Sequence, residues 1–134
     1  LQKNRDKNSV KSEVVAMRQK MREALDKSTA DDFDLKQGIG GIVDIEFMVQ
    51  YLVLAYANEY PSLIEFSDNV RILEAIERLG LLTGEQVGEL IAAYKVYRSK
   101  YHRVALQNQK PIVEQGCYVK EREVVKAVWS DLMT

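Results

Sequence analysis

Hydrophobic positions recur along most of this 134-residue chain at helical spacing. Val10, Val14, Met17, Met21 and Leu25 step by four and three and predict an amphipathic helix over 9–28. Its remaining face carries Lys11, Arg18, Lys20, Arg22 and Lys27 and reads as solvated and basic. Residues 1–8 are polar and are expected to be loose. Past a glycine-rich stretch the period is lost, because residues 42–58 are apolar on almost every side. A helix of that kind belongs in the middle of a bundle. It should stop near Glu59-Tyr60, since Pro61 disfavours helical geometry in the residue before it.

Ser62 to Asp68 reads as a linker anchored by Leu63, Ile64 and Phe66. A third helix starts at a Ser67 or Asp68 cap, carries Val70, Leu73, Ile76 and Leu79 on one face, and stops at Gly80. Thr83-Gly84-Glu85-Gln86 is a capping-box pattern that opens a long fourth helix to about Gln107. Its seam is Val87, Leu90, Tyr94, Tyr97, Tyr101 and Val104, with tyrosines that bury a ring and keep the hydroxyl at a polar edge. Lys110-Pro111 ends it, and Ile112 to Val119 forms a connector. A last helix over 120–133 places Glu121 and Glu123 near its positive end and buries Val125, Val128, Trp129 and Leu132. The fold expected is all-α: five or six helices around a central apolar helix, with no sheet of its own, in one domain over 9–134.

Composition narrows the function. Apolar residues are 46% and charged residues 29%, and the net charge is −1, so a general nucleic-acid binder, which should be basic, is not indicated. The single Cys117 has no intrachain partner for a disulfide. Residues 47–57 are apolar except for Gln50, too short a run to span a membrane. The first residues are too polar for a signal peptide, and the chain starts on Leu1, which suggests a piece of a longer protein.

Candidate chemistry gathers where Gly38, Gly40 and Gly41 lead into the central helix. Free amides at a helix start favour an anion, and Lys36 stands just upstream. Asp44, Glu46 and Gln50 enter an otherwise apolar helix and need partners. Two readings are open here: a ligand site, or a tight helix entry with Asp44 as an ordinary first-turn acid. Asp32-Phe33-Asp34 would set two carboxylates on one face of a strand, as metal-dependent chemistry requires, but nothing around it supplies a sheet, so no metal site is assigned. Lys95, Arg98 and His102 share a face of the fourth helix; spacing alone reads them as a solvated stripe, and a lone histidine makes a zinc site improbable.

Lys36-Gln37-Gly38-Ile39-Gly40-Gly41-Ile42-Val43-Asp44-Ile45-Glu46-Phe47, followed by Gln50, resembles the signature of the helical domain in glutamine synthetase adenylyltransferases. The same domain occurs in PII uridylyltransferases. The match is dense over 36–54 and looser over 71–80 and 101–107, where Tyr101-His102-Arg103 resembles a recurring stretch of the family. The resemblance implies the carboxy-terminal helical domain of a larger cytoplasmic enzyme, preceded by a nucleotidyltransferase domain. Such an enzyme uses ATP and Mg2+ to adenylylate glutamine synthetase, and also removes the group, under control of the PII protein. On that view Lys36, Gly38, Gly40, Gly41 and Asp44 lie near nucleotide phosphates, while Glu46, Gln50, Arg98, His102 and Arg103 are structural polar or interface residues. The fragment alone, with no metal-binding carboxylate pair and no tightly bound cofactor, is expected to be inactive. The alternative is a non-catalytic interaction module that binds PII or glutamine synthetase, with neither nucleic acid nor membrane as a partner.

Overall fold

The computed structural model describes residues 6–134. Among them five α-helices run in chain order: α1 (Lys7–Leu25), α2 (Ile42–Tyr56), α3 (Asn69–Arg78), α4 (Gly84–Leu106) and α5 (Val119–Met133). A single 3-10 turn, Pro61–Ile64, lies between α2 and α3. The all-α bundle expected from periodicity is the fold observed. Helix α2 packs against each of the other four helices, and α4 packs against α2, α3 and α5. The core runs along α2 through Ile42, Ile45, Met48 and Leu52, and meets Leu73 and Ile76 from α3, Leu90 and Tyr97 from α4, and Val125 from α5.

The helix ends follow from local chemistry. Of the loose segment expected over 1–8, residues 1–5 lie outside the described residues, whereas Lys7 and Asn8 are helical. Asp6 caps that end by accepting from the Asn8 amide at 3.1 Å. Helix α1 stops at Leu25, three residues before the expected boundary, because Asp26 is extended and its carboxylate accepts from the Ser28 amide. Asp68 caps α3 through the Val70 amide at 2.8 Å. The same helix ends at Gly80, with φ +73°, where Gly80 donates to the Glu77 carbonyl and Leu81 to that of Ile76. At the start of α4, Thr83 and Gln86 form the reciprocal capping box, at 3.1 Å in both directions.

Two expectations need correction. The chain does have a sheet: β1 (Asp32–Asp34) pairs antiparallel with β2 (Ile112–Glu114), Phe33 opposite Val113. Three residues are too few to show alternation, and the partners lie about 80 positions apart in sequence, so no local pattern marks the pairing. The ribbon is braced by Gln115, whose side-chain amide donates to the carbonyls of Thr29 at 2.8 Å and Asp32 at 2.7 Å. Secondly, the buried face of α1 is Val10, Val14 and Arg18, while Met17 and Leu25 are about half exposed. Arg18, read from sequence as solvated, is 1% exposed, because its partners come from outside its own helix.

The ribbon and α5 close over the glycine turn. Gly40 has φ +84°, and a Cβ there would lie 2.8 Å from the Arg122 carbonyl oxygen. Gly116 meets nothing within 4 Å of such a Cβ. Gly40→Ala is therefore expected to lower the urea midpoint, with a cost of at least about 1–2 kcal/mol for the left-handed backbone alone. Gly116→Ala should leave the midpoint within experimental scatter.

Candidate functional site

The chain from β1 to the first turn of α2 wraps around two buried carboxylates, Asp34 and Asp44. Asp34 Oδ1 accepts from the amides of Lys36 and Gln37, both at 2.9 Å, and Oδ2 accepts from the amide of Lys27 at 3.1 Å. The Ser28 hydroxyl accepts from the Asp34 amide at 3.0 Å. This acid, half of the tempting Asp-x-Asp pair, therefore shapes a loop. Its oxygens face backbone donors and do not fit a catalytic metal ion. Among the described residues no three His, Cys, Asp or Glu side chains converge on a point.

Asp44 sits in the first turn of α2. Its Oδ1 accepts from Arg18 Nε at 2.5 Å and from an Arg22 terminal nitrogen at 3.1 Å, and its Oδ2 accepts from the Gly40 amide at 2.8 Å. The other two nitrogens of Arg18 donate to Gln37, one to the side-chain oxygen at 3.0 Å and one to the backbone carbonyl at 2.7 Å. The Arg18 guanidinium also lies 5.8 Å from the Phe47 ring centroid. Every nitrogen of this buried guanidinium thus has an acceptor, as burial of a charge demands.

The sequence suggested free amides at the start of α2, and the structure corrects this. The Gly38 amide donates to Asp34 O, Gly40 to Asp44, Gly41 to Gly38 O, Ile42 to Leu35 O and Val43 to Lys36 O. The dipole at this helix start is met by the chain's own carboxylate. From α4, the buried Tyr97 hydroxyl donates to the Gly40 carbonyl at 2.8 Å. Burial, with the nearby charge of Glu121 second, pushes that hydroxyl above its ordinary pKa, so it remains a donor.

The remaining candidates separate into two groups. Lys36 is exposed, with its ammonium 5.6 Å from the Tyr101 ring centroid, and the Arg98 guanidinium lies 5.7 Å from the same centroid. The structure thus joins Lys36 to the basic stripe of α4 through one aromatic ring. His102 and Arg103 follow on α4 and are exposed. Glu46 and Gln50 part company. Glu46 is half-buried and accepts from the Tyr94 hydroxyl at 3.3 Å, which in turn accepts from the Asn69 side chain at 3.1 Å, while Gln50 is exposed.

Sequence reasoning singled out the glycines, Lys36 and Asp44. It missed Arg18, Arg22, Gln37 and Arg122. The Arg122 guanidinium stacks 4.1 Å from the Phe33 ring centroid and donates to the Gln115 carbonyl at 2.6 Å and side-chain oxygen at 2.8 Å. One signal was available: Arg18 lies four residues beyond Val14 and eight beyond Val10, on the buried face.

A sequence model of the family described as GlnD PII-uridylyltransferase matches residues 9–112. The bifunctional glutamine synthetase adenylyltransferase/adenylyl-removing enzyme of Nitrosococcus oceani is 47% identical over 133 residues, 99% of this chain and 14% of the relative. The protein of the same name from Pseudomonas aeruginosa is 46% identical over 98% of this chain and 15% of the relative. That from Acinetobacter baylyi is 46% identical over 99% of this chain and 15% of the relative. The chain therefore spans about one seventh of the length of the curated relatives it matches.

Asp44→Ala strands the Arg18 charge in the core and is expected to cost about 3–5 kcal/mol of unfolding free energy. Arg18→Met should cost less, because Asp44 keeps Arg22 and the Gly40 amide. Equilibrium urea unfolding of both variants and the double variant measures this, and the double variant should fall short of the sum. At the partly exposed Glu46–Tyr94 contact, Glu46→Ala and Tyr94→Phe should each cost about 1 kcal/mol or less, because this hydrogen bond is long.

Proposed function

The chain belongs to the GlnD PII-uridylyltransferase family, and from that premise we propose that it is the helical domain beside the nucleotidyltransferase site of an enzyme that adenylylates and deadenylylates glutamine synthetase. Relatives carrying that activity in their names align along nearly the whole chain at 43–47% identity, which supports the assignment. On this reading the parent is cytoplasmic, takes ATP and Mg2+ as co-substrate and cofactor, and answers to the PII protein. On the same reading a preceding nucleotidyltransferase domain supplies the magnesium ligands; in this chain Asp34 and Asp44 accept from backbone and arginine donors.

One observation carries the role assigned to this domain: a rigid, internally bonded turn presents an exposed lysine. Asp34 and Asp44 hold the turn from within, Tyr97 ties it to α4, and Lys36 projects from it. In the proposed reading Lys36 meets phosphate oxygens of the nucleotide as charge develops on them. Gly38, Gly40, Gly41 and Asp44 form the base that fixes its position. Held above Tyr101, the ammonium has less freedom to lose than a fully solvated lysine.

A second reading, an interaction module for PII or glutamine synthetase, draws on a different face. A hollow of about 360 Å³ opens between α4 and α5, its lining including Ala92, Val96 and Val124 together with the charged Glu85, Glu89, Glu121 and Lys120. Chemical-shift changes confined to α4 and α5 on adding PII or glutamine synthetase would favour this reading.

The test separates folding from chemistry. Lys36→Ala is expected to leave the melting curve of the chain unchanged, because an exposed lysine contributes little to stability. In the full-length enzyme the same change should cut adenylyl transfer by about 10²–10³, the usual loss for one well-placed transition-state contact, and largely spare adenylyl removal. Normal adenylylation by that variant would return the turn to architecture.

A further inference from the structure

We propose that Lys27, Lys36 and Lys110 together form a binding site for a phosphate group. This rests on the reading of Lys36 above and adds Lys27 and Lys110, which lie outside the motif around residues 36–47. A hollow of about 260 Å³ lies where β1 and β2 meet the loop after α1, and all three lysines line it. They arrive from three separate segments: the loop following α1, the entry to the glycine turn, and the residue before Pro111. All three are exposed, and none has a carboxylate partner among the described residues.

One acid, Asp34, also lines the hollow. Its carboxylate is buried and bonded to the amides of Lys27, Lys36 and Gln37, and it forms no ion pair with any of the three ammonium groups. Asp34 thereby holds in place the backbone of two of the three lysines. Three lysines lining one hollow bring like charges to it, and an anion entering there would relieve their mutual repulsion. Ammonium groups bind phosphate as point charges, and a dianion with three or four acceptor oxygens suits several of them better than a carboxylate does. Leu25, Pro111 and Ile112 give the hollow an apolar side against which the uncharged part of a ligand would rest. The phosphate could belong to a nucleotide or be free inorganic phosphate; both offer the same oxygens to the three lysines.

The experiment titrates the full 134-residue chain with inorganic phosphate, ADP and acetate in separate arms at constant ionic strength, following amide chemical shifts. Saturable shifts at residues 27, 36 and 110 are expected with phosphate or ADP. Lys27→Gln and Lys110→Gln should each weaken affinity about two- to fivefold, the range for a single exposed charge contact, whereas the control Lys20→Gln should not. ADP binding tighter than phosphate identifies a nucleotide site, and equal or weaker ADP binding identifies a free-phosphate site. No saturable shift, acetate binding as tight as phosphate, or unaltered affinity in the Lys27→Gln/Lys110→Gln double variant would each overturn the proposal. Dependence on Lys36 alone would overturn the three-lysine site and leave the role of Lys36 in adenylyl transfer standing. Conversely, normal transfer by the full-length Lys36→Ala enzyme would remove that role without touching phosphate binding measured on the chain.

Discussion

The structure depends on one buried charge pair. Arg18 of α1 and Asp44 of α2 meet at 2.5 Å with almost no exposure of either side chain. Moving two such ions out of water costs several kcal/mol apiece, and their attraction offsets this only when every remaining donor and acceptor is also satisfied. The glycine turn supplies what is missing: Gln37 accepts twice from Arg18, and Gly40 donates to the second oxygen of Asp44. The ion pair and the turn therefore form together. A turn of another shape would leave two Arg18 nitrogens and the second Asp44 oxygen without these partners, so the pair favours this conformation as well as stabilising it.

That arrangement explains why glycine is needed where it occurs. To bring its amide to Asp44, Gly40 takes a positive φ and passes directly under the backbone of Arg122 in α5. Its carbonyl, facing the other way, accepts from Tyr97 of α4. Three helices that share little sequence proximity thus meet at one residue. The polar contacts of the turn point inward, and its exposed residues are Lys36 and Ile39.

Much of this architecture was legible in the sequence. Helical period and capping residues placed α3 and α4 within a residue or two, because Asp68, Gly80 and the Thr83–Gln86 box act through contacts made inside their own turn. The absence of period in 42–58 identified the central helix for the same local reason: a segment apolar on all sides has to be surrounded. What stayed hidden was decided by partners distant in the chain. Arg18 finds Asp44 26 positions away, and β1 finds β2 across three helices. A charged residue reads as solvated until the acid that neutralises it is located, and three-residue strands are too short to carry a pattern.

The same logic explains why the candidate site was only half visible. The motif around residues 36–47 drew attention to glycines and to a first-turn acid, and both lie at the centre of the observed geometry. Their chemistry is inward, however: the amides that make a helix start attractive to anions are here occupied by Asp44 and by the carbonyls of Leu35, Lys36 and Gly38. A helix start that contains its own anion has little electrostatic potential left to offer a second one. Any attraction for an external anion must then come from side chains at the rim of the turn. Lys36 over Tyr101, with Lys27 and Lys110 across the hollow, is where positive charge stands without a carboxylate to answer it. The buried acids fix the backbone, and the fixed backbone sets where those lysines stand.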